Sequence, residues 1–277
     1  MNRPHCGFAL LIVLLTMGFL GFLGTGLVAA GRSDTTLADN LREAAELEAA
    51  ADGAIAHAAF AAAAEGNPAF RPGPAAPEIR IGAIPVLVRI QNEDDRINLN
   101  TCPPALLRAF MVELGVAPRE AAALAQAVME WRGGGSPGQN GTPAARYQAA
   151  GLGYAPPGTP FRSVDELRLV LGMTPQLFAL MAPHLTVLTD GDPDLTTHDP
   201  LVARALAEAA GTTDVTGLAA GGGSAEPILR ITATAVGPRG TRYTVTEVTT
   251  TSFFNADPRI RVLLRERCIA GTNAASC

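Results

Sequence analysis

A stretch of 23 residues without a single charge, residues 8–30, follows a seven-residue polar leader, MNRPHCG. That length meets the ~20 residues an apolar helix needs to cross a bilayer core. A chain that opens this way must begin as one long helix, with everything else carried at its far end. A secretory signal peptide is the competing reading. Its apolar region is usually ~7–15 residues and ends at a small-x-small site. Val28-Ala29-Ala30-Gly31 offers such a site, but the apolar run is longer than that range. An uncleaved plain anchor is the third reading. In each case the positive charge near the span, Arg3 with the amino terminus, precedes it. The bulk of the chain is therefore expected outside the inner membrane, in the periplasm.

The helical pattern continues beyond the span. Leu37, Leu41, Ala44, Leu47, Ala51, Ile55 and Ala58 recur at three- and four-residue spacing, and Ala, the strongest helix former, dominates. Gly66-Asn67-Pro68 is a stop signal, so residues 31–66 are expected to be helix. Residues 67–82 are rich in Pro and Gly and read as a loop, and 84–90 (IPVLVRI) as a strand within the segment 67–95. Residues 96–218 read as an all-α insert. After Gly221-Gly222-Gly223-Ser224 the chain turns to β, with strands at 228–236, 242–253 and 259–267 inside the segment 219–267. Residues 268–277 form a tail. The expected fold class is α+β, a long helix on a small antiparallel sheet whose strands bracket a helical insert.

Two openings stand out inside the insert. RINLNTCPP (96–104) precedes helices at 105–114 and 119–132, and Asn100/Thr101 read as a helix cap before two prolines. FRSVDEL (161–167) opens a second pair, with Ser163 and Glu166 spaced as a capping box and a further helix at 176–185. A truncated echo, with Thr197 and Pro200, precedes a helix at 201–209. These units resemble helix-hairpin-helix modules, whose glycine-rich turns bind DNA phosphates through exposed amides. Here Ala117 and Thr174 replace the second turn glycine. Residues 96–218 carry eight Arg against eleven Asp and Glu, the wrong sign for phosphate. The expectation is a scaffold that binds no nucleic acid. A membrane-anchored, competence-type DNA-uptake receptor is the alternative.

The short leader ending in Gly7, with Phe8 opening an unbroken span, resembles the layout of type IV pilin-like proteins. With RINLNTCPPALLRAF (96–110), FRSVDELRLVLGMTP (161–175) and HLTVLTDGDPD (184–194), the chain resembles the K-type minor pseudopilins of bacterial type II secretion over nearly its whole length. The resemblance implies cleavage by prepilin peptidase after Gly7 and N-methylation of Phe8. It implies a pilin-like domain with a helical insert, and partnership with the I and J minor pseudopilins at the tip of the pseudopilus. Major subunits carry Glu at the fifth mature position to neutralise the amino terminus of the subunit above. Here that position is Ile12, which suits a subunit with none above it.

Other chemistry is sparse. The family's acidic, calcium-suited cluster is replaced by Gly and Ala around residues 133–145, so no cofactor is expected and Ca²⁺ is doubtful. Asp190, Asp192 and Asp194 are the remaining candidates, though alternate Asp in a loop also serves a solvated turn. Cys268 and Cys277 close a short loop and can pair in an oxidising compartment, with two free thiols in a frayed tail as the alternative. Cys102 is then expected to be a small buried side chain. His5, His57, His184 and His198 are scattered, and neither P-loop, GxSxG nor HExxH is present. An enzyme is not expected. A net charge of -5, with Arg as the sole basic residue type, also disfavours nucleic acid.

Overall fold

The structure, a computed structural model, describes residues 6–63, 70–73, 76–134, 142–193, 196–211, 227–254 and 257–270. Side chains are described within these segments except for residues 6–9, 23–35, 251–259 and 269–270.

One helix, α1 (Cys6–Ala63), runs for 58 residues, about 87 Å at 1.5 Å per residue. Its two halves differ. Leu47, Ala50, Ala51, Ala54, Ile55, Ala58 and Ala59 are buried, whereas every described residue from Leu10 to Phe22 is exposed. The expected span is described only in part, since the side chains of residues 8–9 and 23–30 lie outside the described residues. Among the described residues, no helix is long and apolar enough to cross a membrane.

The buried half of α1 lies on a five-stranded antiparallel sheet of order β1-β2-β5-β6-β7. The strands are β1 (Glu78–Ile81), β2 (Ile84–Asn92), β5 (Ile228–Val236), β6 (Arg242–Phe254) and β7 (Asp257–Ala270). Strand β1 falls where the Pro/Gly composition pointed to a loop. A tight turn at Gly82, with φ +60, folds it back on β2. Alternate residues Val86, Val88 and Ile90 on β2, and Ile231, Ala233 and Ala235 on β5, face α1. Alanine on both surfaces lets helix and sheet approach closely. The opposite face carries cross-strand hydroxyl pairs, Thr232 with Thr246 at 3.2 Å and Thr234 with Thr244 at 3.1 Å. In the β6–β7 ladder Val248 pairs with Leu264 but Thr249 with Val262, leaving Leu263 as a bulge. Strand β7 continues to Ala270, so Cys268 belongs to the sheet and not to a tail.

Between β2 and β5 the chain builds a second, separate core. Its elements are α2 (Pro104–Glu113), α3 (Pro118–Trp131), α4 (Pro143–Ala149), a 3-10 helix at Val164–Leu169, α5 (Pro175–Met181), a 3-10 turn at Ala182–His184 and α6 (Pro200–Ala209). Trp131, Tyr147 and Phe161 form its aromatic centre, with Trp131 stacked on Phe161 at 6.2 Å and exposed Tyr154 edge-on against Trp131. The insert is not all-α. Strands β3 (Ile97–Asn98) and β4 (Leu185–Thr186) pair in parallel and join the opening of the first hairpin to the exit of the second.

Candidate assembly site

Sheet and insert meet at a fully buried carboxylate. Glu93 sits in the 3-10 turn Glu93–Asp95 that leaves β2. Arg230 on β5 donates to both its oxygens at 2.7 Å, and the Thr186 hydroxyl on β4 donates to Oε1 at 2.7 Å. Arg96 approaches at 3.6 Å. Thus one side chain ties the linker, the sheet and the insert. The two guanidiniums respond differently. Burial, then the like charge of Arg230, lowers the pKa of Arg96. Burial also presses on Arg230, but its bonds to Glu93 outweigh that and raise it. Arg230 therefore holds the pair, and Arg96 adds positive charge beside it.

The same linker grips the turn before α6. The Asp95 carbonyl accepts from Thr197 Oγ1 at 3.0 Å, and its carboxylate accepts from the amide of His198 at 3.1 Å. Asp199 caps α6, accepting from the amides of Leu201 and Val202 while its other oxygen meets His184 Nδ1. Burial pushes this carboxyl up, but the His184 contact and the two amides prevail and hold it below the usual carboxylate range.

Within the insert, the polar residues of the two openings cross-brace the fold instead of capping helices. The expected cap at Asn100/Thr101 is corrected: Pro103 occupies the N-cap of α2 and makes no side-chain bond. Asn100 accepts from the amide of Phe161 at 2.7 Å and donates to the Phe161 carbonyl at 3.0 Å, joining positions 61 residues apart. Thr101 donates to Asp192 at 3.0 Å. The capping box at Ser163 is corrected as well. Ser163 makes no cap bond, the segment is 3-10, and Glu166 accepts from the amide of Arg162 and from Trp131 Nε1 instead of from Ser163. Arg132 donates to the carbonyls of Leu99 and Cys102 at 2.7 and 2.8 Å.

The second hairpin turn is closed to phosphate. Gly115 and Gly172 adopt φ +89 and +88, which only glycine takes readily. Gly172 also lies against Leu124 of α3, where an added Cβ would come within 3.0 Å of Cδ2. Thr174 caps α5, its Oγ1 accepting from the amide of Leu177 at 3.2 Å. The amide a phosphate would use is already bonded.

Asp192 serves Thr101, and burial raises its pKa against the opposing pull of Thr101 and Arg132. Asp190 is described nearby, and Asp194 lies outside the described residues. Among the described residues no three His, Cys, Asp or Glu side chains converge as metal ligands. Cys102 is buried, and burial pushes its thiol up to about 12, against the pull of Arg132. Cys268 is disulfide-bonded. Cys277 lies outside the described residues.

The backbone of Gly7 and Phe8 is part of α1, with their side chains outside the described residues, and Ile12 is exposed. Farther up the helix, Leu37 and Leu41 remain 59% and 63% exposed. Among the described residues the sheet grips α1 from Asn40 upward, through Arg239 with Asn40 at 2.8 Å and Glu43 at 3.7 Å, Arg267 with Glu48 at 2.7 Å, and Arg265 with Asp52. A helix half left uncovered with large apolar side chains is a surface for other helices or lipid. The residues brought together at the junction, Glu93, Thr186 and Arg230, carry no sequence signal of their own.

Comparison with known proteins agrees with this architecture. Residues 87–190 match the family described as type II secretion system (T2SS), protein K. Both insert openings fall inside that range. No curated protein matches. Among solved structures, a chain of the crystal structure of the GspK-GspI-GspJ complex from the enterotoxigenic Escherichia coli type 2 secretion system superposes with a TM-score of 0.58. It is 14% identical, and the match covers 86% of this chain and 98% of that one, a likeness of fold.

Proposed function

Given that residues 87–190 match the protein K family of type II secretion, we propose that this chain is a minor pseudopilin at the tip of a secretion pseudopilus. It helps to initiate and cap the filament that exports folded proteins across the outer membrane. The observation that carries the reading is a helix of 58 residues of which only the upper part is covered by the chain's own sheet, while a broad insert is clamped to that sheet by Glu93. The uncovered half packs against membrane and neighbouring subunits. The insert makes the subunit too wide to be overgrown in the shaft.

Residues 8–30 anchor the chain in the inner membrane, with the remainder in the periplasm, after prepilin peptidase cuts between Gly7 and Phe8. The I and J minor pseudopilins are its partners, because the similar solved chain belongs to a GspK-GspI-GspJ complex. The chain acts as an assembly component and not as an enzyme. A capped second turn and a negative insert speak against the DNA-receptor alternative. Co-expression of the full chain with I- and J-type partners tests the role: all three should leave the membrane together in detergent. Recovery of the K-type chain alone, or salt-sensitive retention on DNA, would contradict it.

A further inference from the structure

We infer that the free edge of β7 and the cleft beside it receive an extended, carboxylate-bearing strand from a partner minor pseudopilin, as a sixth strand of the sheet. This rests on the assembly role proposed above. Among the described residues β7 pairs only with β6, and no strand is described along the other flank of its residues 257–267. Such an edge is a template for another strand. The opposite edge, β1, is only four residues long, the usual way of blunting an edge. Strand β7 is not blunted by length, and it carries exposed Ile260 and Val262.

A cleft of about 480 Å³ lies between the insert and the sheet face opposite α1. Arg230 on β5 and Leu264 and Glu266 on β7 line one side, and Arg162, Val164 and Phe178 of the insert line the other. Arg230 pairs across the sheet with Val248, and Val248 with Leu264, so the cleft runs out to the edge strand. A strand added beside β7 projects alternate side chains on one face, and on this face those side chains meet apolar walls at Phe178 and Leu264.

The charge in the cleft selects the occupant. Arg96 and Arg230 share the carboxylate of Glu93, and Asp95 and Asp199 also act on Arg96, so the buried junction is balanced. The surplus lies at the rim: Arg162 and Arg261 stand outside that balance, Glu266 offsets one of them, and Asp165 is paired with Arg168. Exposed Arg261 extends the positive edge along β7. A second copy of this chain would set Arg against Arg, and like charges across a strand pair destabilise it. A partner strand with carboxylates meets the surplus.

Hydrogen exchange of the full chain in detergent, alone and bound to its I and J partners, tests the inference. In the complex, peptides covering 257–267 should exchange at least about tenfold more slowly. The double reversal Arg162→Glu with Arg261→Glu should weaken the complex about tenfold, while the Lys pair at the same positions retains binding. Both side chains are exposed, and a melting curve checks that the fold persists. A complex that forms with β7 exchange unchanged overturns the strand addition and leaves the assembly role standing. Failure to form any complex overturns the assembly role itself. Slow exchange in the free chain would show an edge already covered by this chain's own segments or by a second copy, and would equally overturn the inference.

Discussion

The α1–sheet unit and the helical insert are held together by different physics. In the first, alternation of two on the strands meets a three- and four-residue repeat on the helix, and small apolar residues close the gap: Ala50, Ala51, Ala54 and Ala58 against Ala233, Ala235 and Val88. Its ion pairs, such as Arg267 with Glu48, sit on the rim. The insert has short helices and long connections. Its shape and its seat on the sheet depend on single polar side chains that reach far along the chain, Asn100 to Phe161 across 61 positions and Glu93 to Arg230 across 137. A distributed interface tolerates the loss of one contact. A stapled one does not.

The sharpest way to break that contrast is at the junction. Glu93→Ala leaves two guanidiniums facing each other in a buried site, and removing one partner of a buried ion pair costs about 3–5 kcal/mol. Urea unfolding should show that loss. A loss below 1 kcal/mol would mean that water reaches the junction and the clamp is not a clamp.

Next in size is a pair of glycines inside the insert. A Cβ at Gly133, which has φ +84, would stand 2.5 Å from the backbone oxygen of Gly158, whereas one at Gly115, φ +89, meets open space. Gly115→Ala should cost about 1 kcal/mol of backbone strain, and Gly133→Ala about 2–3 kcal/mol more from the clash. Equal melting temperatures for the two variants would show that the 158 loop yields freely. Asn100→Ala, which leaves the backbone groups of Phe161 unpaired, should cost about 1–3 kcal/mol by the same assay.

The openings of the insert show what could be read in advance and what could not. Turn glycines, prolines at the first helical turn and the period of the apolar residues placed α2, α3, α5 and α6 within a residue or a few. The same residues misled on capping. Asn100, Thr101 and Ser163 have the chemistry of caps, and nothing local says that Asn100 and Thr101 instead reach Phe161 and Asp192, distant in sequence. Strand β1 was missed because its alternation, EIRI, lasts only four residues beside a Pro-rich stretch, too short to stand out, and its pairing with β2 makes it a strand. Glu93 was invisible for a related reason. A carboxylate after a strand reads as a solvated turn until the fold brings Arg230 and Thr186 around it.

Acid should separate the regions more gently. Asp199 has a folded pKa held below its unfolded value near ~3.9. Its contribution is therefore present above about pH 4 and is lost as the pH falls through the lower folded value. Stability of the chain should decline there, and Asp199→Asn should flatten that part of the profile. An identical acid limb in the variant would remove Asp199 from the account. The smallest effect belongs to the rim of the α1–sheet unit, where Arg267→Ala, half exposed, should change stability by less than about 1 kcal/mol.

The central claim is that a pilin-like helix carries a clamped insert to the end of a filament. Gold-labelled full-length chain, assembled with its partners and the major pseudopilin, addresses it directly under the electron microscope. The account predicts label at one end of each filament and nowhere along the shaft. Label repeated along the shaft would contradict it.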